Sequence, residues 1–157
     1  MDDPFNLARF LDAQARDYAT ALAELRAGHK RSHWMWYVFP QLRGLGRSDN
    51  AHFYGISSLE EARIYLADPI LGKRLRECVE ALLQTTDSSA EEILGGIDAQ
   101  KLRSSLTLFR IAGPGETLFV EGLEKFFDGK LDPQTLELLA SDPDAETSEG
   151  EALPPED

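Results

Sequence analysis

The chain has 157 residues, a net charge of −12, 42% hydrophobic and 28% charged residues, and a single cysteine. That is one domain's worth of chain at ~150 residues per domain, with enough apolar material to build a core unaided. The lone cysteine excludes an internal disulfide and a cysteine-built zinc site, and no apolar run approaches the ~20 residues that span a bilayer. The start, MDDPFNLARF, has neither the basic opening nor the apolar stretch of a signal peptide, so the expected location is cytoplasmic, away from membranes.

Asp3 and Pro4 form an N-cap and first-turn pair, which predicts a long helix to about Ala27. Leu7, Phe10, Leu11, Tyr18, Leu22 and Leu25 keep helical spacing along it, and Gly28 stops it. The aromatic run His33 to Phe39 has no clear period and suits a buried strand or a short buried helix, closed by Pro40. Ser58-Leu-Glu-Glu61 reads as a capping box opening a helix through about Ala67. Asp68-Pro69 starts the next, with Leu71, Leu75, Cys78, Val79, Leu82 and Leu83 on one stripe, so Cys78 reads as core rather than as a nucleophile. Ser89-Ala-Glu-Glu92 opens a short helix ending at Gly95-Gly96, and Asp98 caps one that reaches about Ala112. Further helices are expected from Glu116 to Asp128 and from Asp132-Pro133 to Ala140. The reading is all-α: one compact domain of seven or eight helices over residues 1–140, followed by an acidic, disordered tail over 141–157 that is dispensable for folding.

Charge is unevenly spread. The tail from Ser141 to Asp157 holds seven acids and no base, leaving 21 acids against 16 bases in the other 140 residues. Leu25 to Ser48 contains no acid at all, yet carries Arg26, Lys30, Arg31, Arg43 and Arg47 together with His29 and His33. A basic segment in an acidic chain suits a small anion better than an extended duplex, whose binding requires many phosphates to be neutralised.

Two blocks carry the candidate chemistry. KRSHWMWYVFPQ brings two bases, a histidine, Trp34, Trp36 and Gln41 together; aromatic faces stack on bases or sugars while Lys30 and Arg31 meet an anion. The plainer alternative is that Trp34, Trp36 and Phe39 are core, with Ser32 capping a short helix. In KLRSSLTLF, a helical wheel leaves Arg103, Thr107 and Arg110 as a polar strip and turns Lys101, Ser104 and Ser105 toward the apolar side. Inward polar groups need partners. They line a pocket, or else Lys101 snorkels to solvent and the serines bond back to their own helix. The expected ligand-binding set is therefore Lys30, Arg31, His33, Trp34, Trp36, Gln41, Lys101, Ser104 and Ser105, with the two blocks meeting around one site. His33, from a residue type that titrates near neutrality, is the candidate general acid or base. Asp49 and Asp98 are the nearest carboxylates by sequence. No metal ligand set and no cofactor motif is recognised, so neither is expected.

DPFNLARFLDAQ, GHKRSHWMWYVFPQLRGLGRS, YGISSLEEARIYLADPILGKRL and DAQKLRSSLTLF, continuing through FFDGKLDPQTLELL, resemble an uncharacterised bacterial family catalogued as domain of unknown function 1810 (DUF1810). The resemblance implies a mainly helical single domain, in which the aromatic run is a short helix; it carries no established activity. The functional expectation is a binding protein or enzyme for a phosphorylated or nucleotide-like anion. The alternatives are a protein-interaction module anchored on the aromatic segment and a nucleic-acid-associated protein. A monomer or weak dimer is expected.

Overall fold

The computed structural model describes residues 3–142. Among these the fold is all-α: α1 (Ala8–Ala27), α2 (Met35–Val38), α3 (Asp49–Phe53), α4 (Leu59–Ala67), α5 (Leu71–Leu83), α6 (Ala90–Leu94), α7 (Gly96–Ala112), α8 (Leu118–Phe127) and α9 (Pro133–Ala140). These nine helices exceed the expected seven or eight because the aromatic run is helical and α3, five residues long, is too short to show a period. Ser48 announces it by accepting from the Ala51 N–H. No described helix is long and apolar enough to cross a membrane.

Most ends follow their cap residues. Gly28, at φ 76°, closes α1 with N–H bonds from Gly28 to Leu25 O and from His29 to Glu24 O, a Schellman turn. Ser89 and Glu92 complete a reciprocal capping box on α6. Three boundaries differ from expectation. Asp3 accepts from the Leu7 and Ala8 N–H groups at 2.7 and 3.0 Å, but Asn6 takes a left-handed φ of 56°, so residues before Ala8 form a turn rather than helix. α7 begins at Gly96, before Asp98. The box on α4 is only half formed: Ser58 accepts from the Glu61 N–H, while the Glu61 side chain turns to Arg9 and Ser57.

The core centres on α7, which packs against α4, α6, α8 and α9, while α1 lies on α2 and α5. Phe10, Trp34, Phe39, Tyr65, Phe109 and Phe119 are its largest fully buried rings. Every residue from Ser104 to Phe109 is buried, so α7 has no solvent face along that stretch. This corrects the polar strip. Thr107 is fully buried, accepts from the Asp132 N–H and donates to Arg103 O, and Arg103 donates to the Lys130 and Leu131 carbonyls. The segment leading into α9 covers what the wheel left for water. Cys78 is core, and burial raises its thiol to about 12. The α4–α5 corner is tight: a Cβ on Gly72 would lie 2.1 Å from the Leu66 carbonyl oxygen, so only glycine fits there.

The fold does not stop at Ala140. Asp142 accepts from the Leu59 N–H at 2.7 Å, placing a carboxylate on the N-terminus of α4. The described contacts thus reach two residues past the expected boundary at Ala140, while the expected disorder of 143–157 falls on residues outside those described.

Candidate functional site

The turn after α1 folds the basic segment back over that helix, and one carboxylate organises it. Glu24 accepts from the Arg31 N–H at 2.8 Å, the Ser32 N–H at 3.1 Å, the Ser32 hydroxyl at 2.7 Å and the Trp34 indole N–H at 2.9 Å. Burial opposes its ionisation, but these four donors outweigh it and hold the carboxyl at about 2. A depressed carboxyl stabilises fully above its ordinary 4.5, and the contribution is lost as pH falls toward 2. Glu24→Gln, whose amide replaces one acceptor oxygen with a donor, is expected to cost about 1–3 kcal/mol at neutral pH. In urea melts the gap from wild type should narrow between pH 4.5 and 2. A gap that stays constant over that range would show that the charge is irrelevant.

Glu24 also positions the aromatic block, in which Trp34 is 1% exposed and Tyr37, Val38 and Phe39 are also buried in the core. Trp34 is the N-cap residue of α2 and has no side-chain cap; Ser32 spends its hydroxyl on Glu24 instead. Trp36, two residues on in a helix and so on roughly the opposite side, is the half-buried one.

Trp36 lines two adjoining cavities, of about 340 and 610 Å³, which also share Gly96, Ile97 and Lys101. The smaller holds Lys30, His33, Asp98 and Lys101, so the two sequence blocks do meet. Asp98 lies between the lysines: its Oδ2 is 2.9 Å from Lys30 Nζ and its Oδ1 is 3.3 Å from Lys101 Nζ. The side chains of Lys30, Asp98 and Lys101 are only 8%, 19% and 18% exposed. Each ammonium also sits over an indole, Lys30 over Trp34 at 5.1 Å and Lys101 over Trp36 at 5.3 Å. Lys101 thus stays at the cleft instead of snorkelling to bulk solvent. The N-terminus of α7 opens here too, through Gly95 and Gly96, with no side-chain cap on its first N–H groups.

The remaining expected residues divide. Gln41 and Ser104 line the larger cavity. Ser104 finds its partner in Asp132, the N-cap of α9, at 3.0 Å, and not in the aromatic block; it also bonds back to Gln100 O at 3.2 Å. Ser105 is buried, lines neither cavity, and its Oγ has no hydrogen-bond partner among the described residues. Arg31 is exposed and lines neither cavity, its backbone N–H serving Glu24. Trp34 lines neither cavity and touches the site through Lys30, whose ammonium lies over its ring. Of the two carboxylates nearest by sequence, Asp98 lines the smaller cavity, whereas Asp49 is exposed and lines neither. Arg47, Gln100 and Gln134 join the larger cavity unanticipated; of these, only Arg47 had a signal, from the acid-free segment.

Residues 4–139 match the family described as protein of unknown function DUF1810. Among solved structures, the chain is similar to the conserved hypothetical protein Rv1873 from Mycobacterium tuberculosis, at 54% identity and a TM-score of 0.87, over 88% of this chain and 99% of that one. A comparison with curated proteins finds no match. With nearly all of its helical body inside the matched span, the chain belongs to the DUF1810 family.

Proposed function

We propose that the protein binds a small phosphorylated anion in the cleft between α2 and α7. The observation that carries this reading is the pair of little-exposed ammonium groups, from two distant blocks, sharing a single carboxylate. Two ammoniums offer six N–H donors, and one carboxylate neutralises only one of the two charges. Partly buried charge without full compensation is costly, so the arrangement favours a second anion with several acceptor oxygens. The uncapped first turn of α7, a 17-residue helix, adds oriented N–H groups and the positive end of its dipole on the same side. His33 lines the lysine compartment and is the side chain there suited to exchanging a proton with a ligand.

Calorimetric titration with pyrophosphate and ribose 5-phosphate tests the reading. Losing one charge-assisted contact costs about 1.5–3 kcal/mol, so Lys101→Ala is expected to weaken binding roughly ten- to a hundredfold. No heat with either compound at millimolar concentration, or equal affinity in Lys101→Ala, would reject it.

A further inference from the structure

The cleft has a second compartment whose chemistry differs from that of the lysine end. Its 13 lining residues, in a chain of net charge −12, include no acid. The Trp36 ring forms a wall common to both compartments. Two polar groups of the larger one, the Gln100 amide and the Ser104 hydroxyl, are already committed to Asp132. Gln41, half-buried, lines this compartment, and its amide makes no hydrogen bond among the described residues, which leaves a donor and an acceptor unused. Gly46 brings the backbone of the 42–48 loop close beside it: a Cβ there would lie 2.7 Å from Ala51 Cβ and 3.6 Å from Gln41 Nε2. Glycine at that position lets the loop pack against Ala51 of α3, with its backbone beside the Gln41 amide.

We propose that this compartment takes a nucleobase, so that the ligand is a nucleoside monophosphate with its phosphate at Lys30 and Lys101. The inference rests on the anion reading above and extends it to the other end of the ligand. A primary amide presents a donor and an acceptor side by side, the complement of adenine's N6 and N7 edge. The Trp36 indole, one face of which carries the Lys101 ammonium at 5.3 Å, is the aromatic surface of this compartment, and an aromatic face stacks any base. An uncharged base meets no carboxylate here, and a cavity of about 610 Å³ lies within the range of small-molecule sites. Shared lining by Trp36, Gly96, Ile97 and Lys101 places the two compartments side by side, within reach of a single ligand with an anionic end and a planar end.

The test compares adenosine monophosphate with ribose 5-phosphate by calorimetry on the full chain, in wild type and in Gln41→Leu. Adenosine monophosphate is expected to bind at least tenfold more tightly than ribose 5-phosphate. Gln41→Leu should remove most of that advantage while leaving ribose 5-phosphate affinity within twofold of wild type. Equal affinities for the two compounds, or an advantage that survives Gln41→Leu, would overturn the nucleobase assignment and leave the anion reading standing. Failure of both compounds to bind wild type would overturn the nucleoside monophosphate assignment, and failure of pyrophosphate as well would overturn the anion reading. A circular dichroism melt of Gln41→Leu matching wild type guards against a folding defect, and Gln41→Glu, which keeps shape but loses the donor, provides a second variant expected to lose the same advantage.

Discussion

Arg9→Met is expected to destabilise the protein by about 3–5 kcal/mol, the range for breaking a buried ion pair on one side. Arg9 and Glu61 meet at 2.8 Å with side chains 4% and 1% exposed. The guanidinium spends all its donors: Nε on Phe53 O at 2.8 Å, Nη1 on Phe5 O and Asn6 O at 2.6 and 2.8 Å, and Nη2 on Gly55 O at 2.9 Å and on Glu61. It joins the N-terminal turn, the end of α3 and the start of α4, so its loss strands the Phe5 and Phe53 carbonyls as well as a buried carboxylate. Asn6 O and Gly55 O keep the Arg9 backbone N–H and Arg43 as donors. It also lies over the Phe10 ring at 4.2 Å. Urea denaturation should show the midpoint falling with little change in slope. Glu61→Gln, which keeps an acceptor for Arg9, should cost less. The double variant Arg9→Met/Glu61→Leu should recover part of the loss, because it removes the orphaned charge but not the orphaned carbonyls. A cost below about 1 kcal/mol for Arg9→Met would mean that water replaces the guanidinium and the pair is not a structural joint.

Arg9 also marks where the sequence becomes hard to read. The helix around it was legible from Leu7, Phe10 and Leu25, but periodicity sees hydrophobic faces, and a buried arginine on the edge of such a face resembles any surface arginine. Its partner was visible for another reason, as the Glu of Ser58-Leu-Glu-Glu61, and that local pattern competed with the tertiary one. Arg9 draws the carboxylate away from the capping box, and the box keeps only its Ser58 half. At Ser89 and Glu92 no such competitor exists and the local pattern stands.

The site divides along the same line. Residue types and a wheel suffice to turn Lys101 and Ser104 inward and to pair their helix with the aromatic block. They do not say which inward group meets which partner. Ser104 meets Asp132, 28 residues later in the chain, and the lysines meet Asp98. Trp34 and Trp36 are equivalent in composition, and only the four-residue helix between the Glu24 clamp and Pro40 sends one into the core and the other into the cleft. Glu24 went unread because its donors lie seven to ten residues away, across the left-handed turn at Gly28. A C-terminal glycine followed by a polar loop signals that the chain reverses, but it does not name the carboxylate to which the chain returns.

Asp98→Asn is expected to move stability and anion binding in opposite directions. Asp98 is the one acceptor of the Lys30 ammonium among the described residues, in a side chain only 8% exposed. Neutralising it leaves two ammoniums facing each other in a cleft, at a cost of about 1–3 kcal/mol, a fall of several degrees in Tm for a chain of this size. The same change removes the negative charge with which any bound phosphate must share the lysines. Like charges at contact distance repel by a few kcal/mol even at an effective dielectric constant of about 20, so phosphate should bind Asp98→Asn at least about tenfold more tightly. Thermal unfolding in a phosphate series, against chloride at matched ionic strength, reads both effects together. The variant should start lower and climb more steeply, because stabilisation by a ligand grows with its concentration relative to Kd. A phosphate response equal to or weaker than that of wild type would mean that Asp98 serves to hold the lysines in position for the anion, and that its charge does not compete for them.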